Sequence, residues 1–399
     1  MSDKEKYASL TEVIPYIGKD RKKLESILQS KGMRDRQCSF FVTLLEEDWN
    51  LCQESDSVKY WALAHGFMPG RVSLYGLTDE NYTDYISDFD YFRVHPFNNH
   101  FAIWINDKVT LKYTIPSMFR TLEGRDLSIM PEYYLYIEND GYYSYLMDSP
   151  QQLPRDEDYL LNLLKDKKTL ALKPSRGTCG YGFVRLEYDD GMIRANGKVL
   201  DEQAFKKFEK GLNGYIVTEY IYQHPLLDRV WKDSVCTLRV IALKNRQDIF
   251  DGGRIDVIAS YARFGTNKSH GASNLSSGGV GVPYNFDNGI FGENFYQHLK
   301  YADNGCLTSA VHPDTKVSLR GEKLPHWEIV RDVVYSVCDY FSSLEYFGFD
   351  IMITEEGVKI CEINTLPDLS DSQMMCGPIF TYEKAAQYFN KKIGEASHL

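Results

Sequence analysis

The period of hydrophobic and polar positions changes along the chain, and the change separates stretches of different character. Apolar residues recur at helical spacing in residues 21–32, 38–53 and 58–64, which predicts three amphipathic helices. A strongly aromatic segment follows at residues 82–104. From Thr169 onward, short β-branched runs take over, and residues 169–174, 183–188, 215–221, 236–243 and 255–263 read as strands. Residues 201–212 and 327–344 keep helical spacing. The last pattern, residues 349–364, is two apolar runs around Glu355-Glu356-Gly357 and reads as a hairpin. This order predicts an α+β fold with mostly antiparallel strands rather than a repeating βαβ array.

Composition narrows the picture. A chain of 399 residues, 43% of them hydrophobic, has material for real cores and roughly two or three domains. With 45 basic and 56 acidic side chains the net charge is -11, which argues against a general nucleic-acid binder, since that needs a basic footprint. Arg21-Lys22-Lys23 and Lys165-Asp166-Lys167-Lys168 read as solvated helix faces. No stretch has the length of a membrane span, and Met1-Ser2-Asp3-Lys4-Glu5-Lys6 carries no apolar run behind a basic tip, so a soluble, cytoplasmic chain is expected. The 8 cysteines lack CxxC spacing, which gives a zinc cluster or disulfide framework little support. Cys179 lies in a glycine-rich loop but has no neighbouring histidine in sequence to activate it.

Candidate chemistry centres on the hairpin. Asp350 lies on its first strand, and Glu362 and Asn364, two residues apart on the second, point the same way. Two carboxylates and an amide oxygen suit Mg²⁺, which completes its shell with water and substrate phosphates; an acidic surface turn would look the same. Lys173 closes a strand ahead of Ser175-Arg176-Gly177-Thr178-Cys179-Gly180-Tyr181-Gly182, where glycines would let backbone N–H groups approach phosphate oxygens. That loop is neither a Walker sequence nor a Rossmann turn, and a plain hairpin tip is the alternative. The run ending in Glu219-Tyr220-Ile221 could read an adenine edge, with Glu219 accepting from the exocyclic amine. Arg239 stands mid-strand in an apolar run and needs an anion, either a substrate group or a structural carboxylate. Arg263, one strand later, could join it.

In this order and combination the chain resembles the ATP-grasp enzymes, specifically the sugar-transfer-associated branch found with bacterial surface-polysaccharide genes. The resemblance covers about residues 55–385 and includes Ser234-Val235-Cys236-Thr237-Leu238-Arg239, the run 273–282, His312-Pro313-Asp314-Thr315 and Leu324-Pro325-His326-Trp327. It implies an ATP-grasp fold in which two α+β lobes clasp ATP beside a mixed helical and aromatic N-terminal region. The divisions expected are 1–125, 126–224 for the lobe with the glycine-rich loop, and 225–399 for the lobe with the metal site. It further implies Lys173 and Lys108 on the phosphates, with Ser175, Gly177, Thr178, Gly180 and Gly182 around them. Glu219, Tyr220 and Ile221 would hold adenine, Asp350, Glu362 and Asn364 two Mg²⁺ ions, and Arg239 would stand beside the transferred phosphate. Arg263, Asn274, Ser276, Ser277, Gly278 and Gly279 would face phosphates or acceptor. Two positions depart from the branch, Lys316 where glycine is usual and Ser273 where aspartate is frequent.

The activity implied is ADP-forming carboxylate-amine ligation through an acyl phosphate, without an enzyme nucleophile. Its partners would be an amino acid or simple amine and a uronic or sugar-linked acid of surface-polysaccharide biosynthesis, with membrane-surface contact only if the precursor is lipid-linked. The alternatives are a saccharide kinase of the same fold and a non-catalytic, nucleotide-regulated interaction protein. Tyr82, Tyr85, Phe89, Tyr91, Phe92, Phe97, Phe101 and Trp104 could stack on sugar rings, although such residues more often pack a core. His95, His100, His224 and His298 show no ligand spacing and receive no role.

Overall fold

The computed structural model describes residues 9–115, 128–175, 182–245, 255–269, 271–302 and 307–396. The N-terminal part is helical: α1 (Arg21–Ser30), α2 (Asp35–Leu51), α3 (Asp56–Ala64), α4 (Arg71–Tyr75), α5 (Asp88–Arg93), α6 (Ile103–Asn106) and α7 (Lys108–Thr114). Side chains set several starts, as at α1, where Asp20 accepts from the Lys23 N–H, and at α7, where Asp107 accepts from the Thr110 N–H.

Two antiparallel sheets follow. The first holds β1 (Tyr133–Ile137), β2 (Tyr143–Tyr145), β3 (Thr169–Pro174), β4 (Val184–Asp189), β5 (Met192–Ala195), β6 (Lys198–Leu200) and β7 (Tyr215–Glu219) in the order β2-β1-β7-β3-β4-β5-β6. Helices α8 (Tyr159–Lys167) and α9 (Glu202–Glu209) bury Leu160, Leu163, Leu164 and Phe205 against Leu170, Leu172 and Val217 of this sheet. After the short α10 (Pro225–Asp228), the second sheet holds β8 (Thr237–Lys244), β9 (Ile255–Phe264), β10 (Val280–Pro283), β11 (Phe295–Gln297), β12 (Thr308–Ser309), β13 (Tyr346–Ile353) and β14 (Val358–Asn364). Its order is β12-β11-β10-β9-β8-β13-β14. Helix α11 (Trp327–Tyr340) precedes β13, and α12 (Ser370–Cys376) and α13 (Glu383–Ala396) follow β14.

The second sheet is covered on both faces, and the period of 2 in β8 divides the work. Leu238, Val240 and Ala242 join the core under α11, whose Val330, Val333, Val334 and Val337 form a stripe at helical spacing. Ile241 and Leu243 face the other way, into a core shared with Leu24, Leu28, Phe41, Phe89 and Phe389 of the N-terminal helices and α13. Arg239 belongs to this second face, beyond the end of its apolar cover. The N-terminal aromatics therefore pack rather than line a sugar site: Phe89, Tyr91, Phe92 and Phe97 are buried in that core, and Tyr82 and Tyr85 in a small cluster with Phe67. Tyr91 and Tyr346 pair through their hydroxyls at 3.2 Å.

The hairpin forms as its sequence suggests, with Thr354 and Gly357 closing the turn by a 2.8 Å backbone bond. Asp350 pairs directly with Glu362 and Gly348 with Asn364, and the register shifts between Asp350 and Ile351, leaving Cys361 as the extra residue of a bulge. A Cβ on Gly348 would sit 2.5 Å from Pro367 Cβ, so only glycine fits there. The departure at Lys316 costs backbone freedom that glycine would supply, because Lys316 takes φ 61°.

Candidate functional site

Beyond the apolar cover at one end of the second sheet, three strands deliver one charged cluster. Arg239 of β8 donates from Nε and Nη2 to the two Asp350 oxygens at 2.8 and 3.2 Å. Arg263 of β9 reaches Asp350 Oδ1 at 2.9 Å and also donates to Thr237 Oγ1 and Asn274 Oδ1, both at 2.8 Å. Both arginines are buried, so the anion that Arg239 requires is in the first instance Asp350. Burial pushes the Asp350 carboxyl upward against the pull of the two guanidiniums.

Glu362 stands opposite Asp350 and behaves differently. Burial raises it, but the Lys108 ammonium at 3.1 Å and the hydrogen bond from the Asn364 amide outweigh that and hold it at about 2. It is therefore an ionised carboxylate at neutral pH. Asn364 donates its amide Nδ2 to Glu362 Oε1 at 3.2 Å, which leaves its Oδ1 as an acceptor beside the carboxylate. Among the described residues no group of three or more His, Cys, Asp or Glu side chains is placed to hold a metal. The oxygen set is two carboxylates and one amide, which suits an ion that takes its remaining ligands from water and phosphate.

The first sheet meets this cluster along β14. Lys173, at the end of β3, points its ammonium toward Cys361 Sγ at 4.0 Å and over the Tyr133 ring at 5.7 Å. Glu219, ending β7, accepts from the Glu132 N–H at 3.0 Å and lies 3.5 Å from Lys359 of β14. Its carboxylate is thus already engaged, whereas Tyr220 and Ile221 leave the sheet just beyond it. The Arg185 guanidinium stacks over Tyr220 at 4.7 Å. Ser175 is buried and donates its N–H to Gly214 O at 2.9 Å, and Gly182 takes φ 77°. Gly177, Thr178 and Gly180 lie outside the described residues.

The loop after β9 splits in role. Asn274 joins the arginine cluster, but the two glycines are occupied by the protein's own backbone: a Cβ on Gly278 would meet Lys268 O at 3.0 Å, and one on Gly279 would meet Ser273 O at 2.5 Å. Ser276 gives its carbonyl to Tyr301 Oη, and Ser273 bonds Thr237 through the hydroxyls at 3.0 Å. His312 is a structural group, donating from Nε2 to Gly265 O at 2.9 Å while its Nδ1 accepts from the Asp314 and Thr315 N–H groups. An open cavity of 590 Å³ lies elsewhere, between the start of β9, Tyr335 and Tyr382–Ala385, and none of the cluster residues lines it.

Sequence reasoning missed Lys359, Cys361, Tyr133 and Lys112. Lys112, buried one turn after Lys108, holds Pro131 O and Asp148 at 2.7 Å each. Lysines four residues apart at the start of α7 were the available signal for it. Lys359 and Cys361 carried none, because only the bulge and the arrival of the first sheet give them partners.

No helix among the described residues is long and apolar enough to cross a membrane. Comparison with curated proteins finds no match. Solved structures that match include D-alanyl-alanine synthetase A from Vibrio cholerae, at 14% identity over 74% of this chain and 65% of that one, with a TM-score of 0.39. Another is N5-carboxyaminoimidazole ribonucleotide synthetase from Thermotoga maritima, at 12% identity over 70% and 50%, TM-score 0.32. A third is D-alanine–D-alanine ligase from Bacillus anthracis complexed with ATP, at 12% identity over 67% and 59%, TM-score 0.28. The chain spans between 50% and 65% of the length of these three. The family model for sugar-transfer associated ATP-grasp proteins matches residues 93–386, and the chain, with its two antiparallel sheets and their helices in the ATP-grasp fold, belongs to that family.

Proposed function

We propose that the chain is an ATP-dependent carboxylate-amine ligase that forms an amide through an acyl phosphate. The observation that carries this reading is the meeting, at one seam between two sheets, of Lys173 and Lys108 with Glu362, Asn364 and the Arg239–Asp350–Arg263 cluster. Cations and hard oxygen donors converge there, as a polyphosphate with its metal ions requires. Lys173 and Lys108 would take phosphate oxygens, and the backbone at Tyr220 and Ile221 the adenine edge. Asp350, Glu362 and Asn364 fit Mg²⁺, for which Glu362 is ionised and Asn364 Oδ1 is available. When bound, two such ions supply charge neutralisation across the phosphates.

The chain's own residues then position and neutralise. A substrate carboxylate oxygen attacks the γ-phosphorus, the bond to the β-phosphate oxygen breaks, and ADP leaves an acyl phosphate. Arg239 and Arg263, preorganised by Asp350, would hold the oxyanion of the tetrahedral adduct that forms when an amine adds to the acyl carbon. Phosphate departs and the amide remains. The family's association with sugar transfer supports a uronic or sugar-linked acid as carboxylate and an amino acid or simple amine as its partner. ATP supply supports a cytoplasmic setting.

Titration calorimetry with MgATP tests the nucleotide half of the proposal. Lys173→Ala removes a charge-assisted contact worth about 1.5–3 kcal/mol and should weaken binding roughly 10- to 100-fold. Unchanged affinity in Lys173→Ala, together with unchanged magnesium dependence in Glu362→Gln, would overturn it.

A further inference from the structure

The cluster just described leaves one nearby carboxylate without a partner. Asp371, in the first turn of α12, is 7% exposed, and its side chain makes no hydrogen bond or ion pair among the described residues. Its position is fixed by the rest of its helix. Met375 packs on Tyr261 and Leu275, the Gln373 amide clamps the Ile86 N–H and C=O, and Tyr75 donates its hydroxyl to Ser370 O at 3.1 Å. α12 thereby lies across β9 and β10 and against α4, with its first turn over the arginine end of the second sheet. The charges acting on Asp371 are Asp368, Arg71, Arg239 and Arg263, with Tyr75 and Tyr261 also close enough to be coupled to it.

These cations are committed elsewhere: Arg71 to Asp88 at 3.0 Å, Arg239 to Asp350, and Arg263 to Asp350, Thr237 and Asn274. The Asp371 carboxylate closes on none of them, and its oxygens are not among the buried atoms cut off from water without a partner, so a cationic ligand arriving from the solvent side can reach it. Burial and the neighbouring Asp368 push the Asp371 carboxyl up to about 7. Asp368 itself is exposed and caps the Ser370 N–H at 2.7 Å, which places a second carboxylate on the solvent side of the first.

We propose that Asp371 receives the amine co-substrate, a primary ammonium group that enters past Asp368 and gives up a proton to Asp371 beside the Arg239–Asp350–Arg263 cluster. The inference rests on the ligase reading. In the step it assigns, R–NH₃⁺ and the Asp371 carboxylate become R–NH₂ and the carboxylic acid. The nitrogen lone pair then forms the C–N bond at the acyl phosphate, the C–O bond to phosphate breaks, and the second amine proton leaves with hydrogen phosphate. Atoms and charge balance without any further reactant.

The test separates the two half-reactions. Wild-type chain and Asp371→Asn are given MgATP and D-glucuronic or D-galacturonic acid. Each is then offered hydroxylamine, which is neutral near pH 7 and traps an acyl phosphate without surrendering a proton first, or a panel of the protein amino acids, ethanolamine and ammonium. Asp371→Asn should lose about 100-fold or more in amide formation yet stay within about threefold in hydroxamate formation, the range expected for removing a general base. Asp368→Asn, at an exposed position, is the second variant and should raise the KM for the amine severalfold. Parallel loss of both products in Asp371→Asn, or an unchanged amine KM in Asp368→Asn, overturns the inference. Wild-type hydroxamate with no amide from any amine overturns it too. No hydroxamate from wild type with either acid would instead sink the ligase reading, and this inference with it.

Discussion

Arg239 is held by two hydrogen bonds to Asp350, and both residues are buried. Cutting it to alanine leaves Asp350 dependent on Arg263 alone, and Arg239→Ala should lose about 3 kcal/mol of stability together with turnover. Denaturant melts compared with Arg239→Lys check this, since lysine restores charge but not the bidentate fork and should recover only part of the loss. An Arg239→Ala melt equal to wild type would remove the cluster from the structural core of the site. In sequence, a lone arginine among Leu238, Val240 and Ile241 announced that an anion was needed. Which anion it was could not be read, because Asp350 lies 111 positions away and only strand pairing brings it opposite. Glu219 was legible as a polar end to β7, but its capture by Glu132 and Lys359 was not, for the same reason.

Elements with strong periods were legible nearly to the residue. β3 spans Thr169–Pro174, as its apolar run indicates, α1 and the hairpin fall close to where their apolar stripes place them, and α11 starts at Trp327 as expected but ends at Tyr340 rather than 344. Short strands with little apolar content, such as β6 at Lys198–Leu200 and β12 at Thr308–Ser309, were not, since they form only because a neighbour offers a ladder. The contact between N-terminal helices and the second sheet was equally hidden. Its aromatic seam carries a pH dependence. His95 is buried, bonds Tyr91 O through Nδ1 at 2.6 Å, and is driven by burial down to about 3. Unfolded, it would take a proton near 6.5, so the stability it contributes is complete above that pH and is lost as pH falls toward 3. Between pH 6.5 and 5 the wild-type chain should lose about 2 kcal/mol more than His95→Gln does, by denaturant titration. Equal slopes for the two proteins would mean that His95 is not held neutral.

At the scale of the whole molecule, the second sheet has one face divided between cover and chemistry. The N-terminal helices and α13 bury Ile241, Leu243 and Tyr346, while Arg239, Asp350 and Glu362, further along the same face, are left for the seam with the first sheet. A chain that needed this sheet only for folding would have continued the apolar pattern through those positions. The order of Lys173, Glu219, Arg239 and the 350–364 hairpin was readable in the sequence, and all four fall inside the stretch 93–386 that the family model matches. The seam itself, in which Lys173 meets Cys361 and Glu219 meets Lys359, exists only in three dimensions.

The most direct measurement follows inorganic phosphate and product mass while uronic acids are crossed against amines in the presence of MgATP. Ligation requires that phosphate and ADP appear together only when acid and amine are both present, with a product heavier than the acid by the amine less water. A phosphorylated sugar formed from ATP without phosphate release, or phosphate release indifferent to the acid, would contradict it.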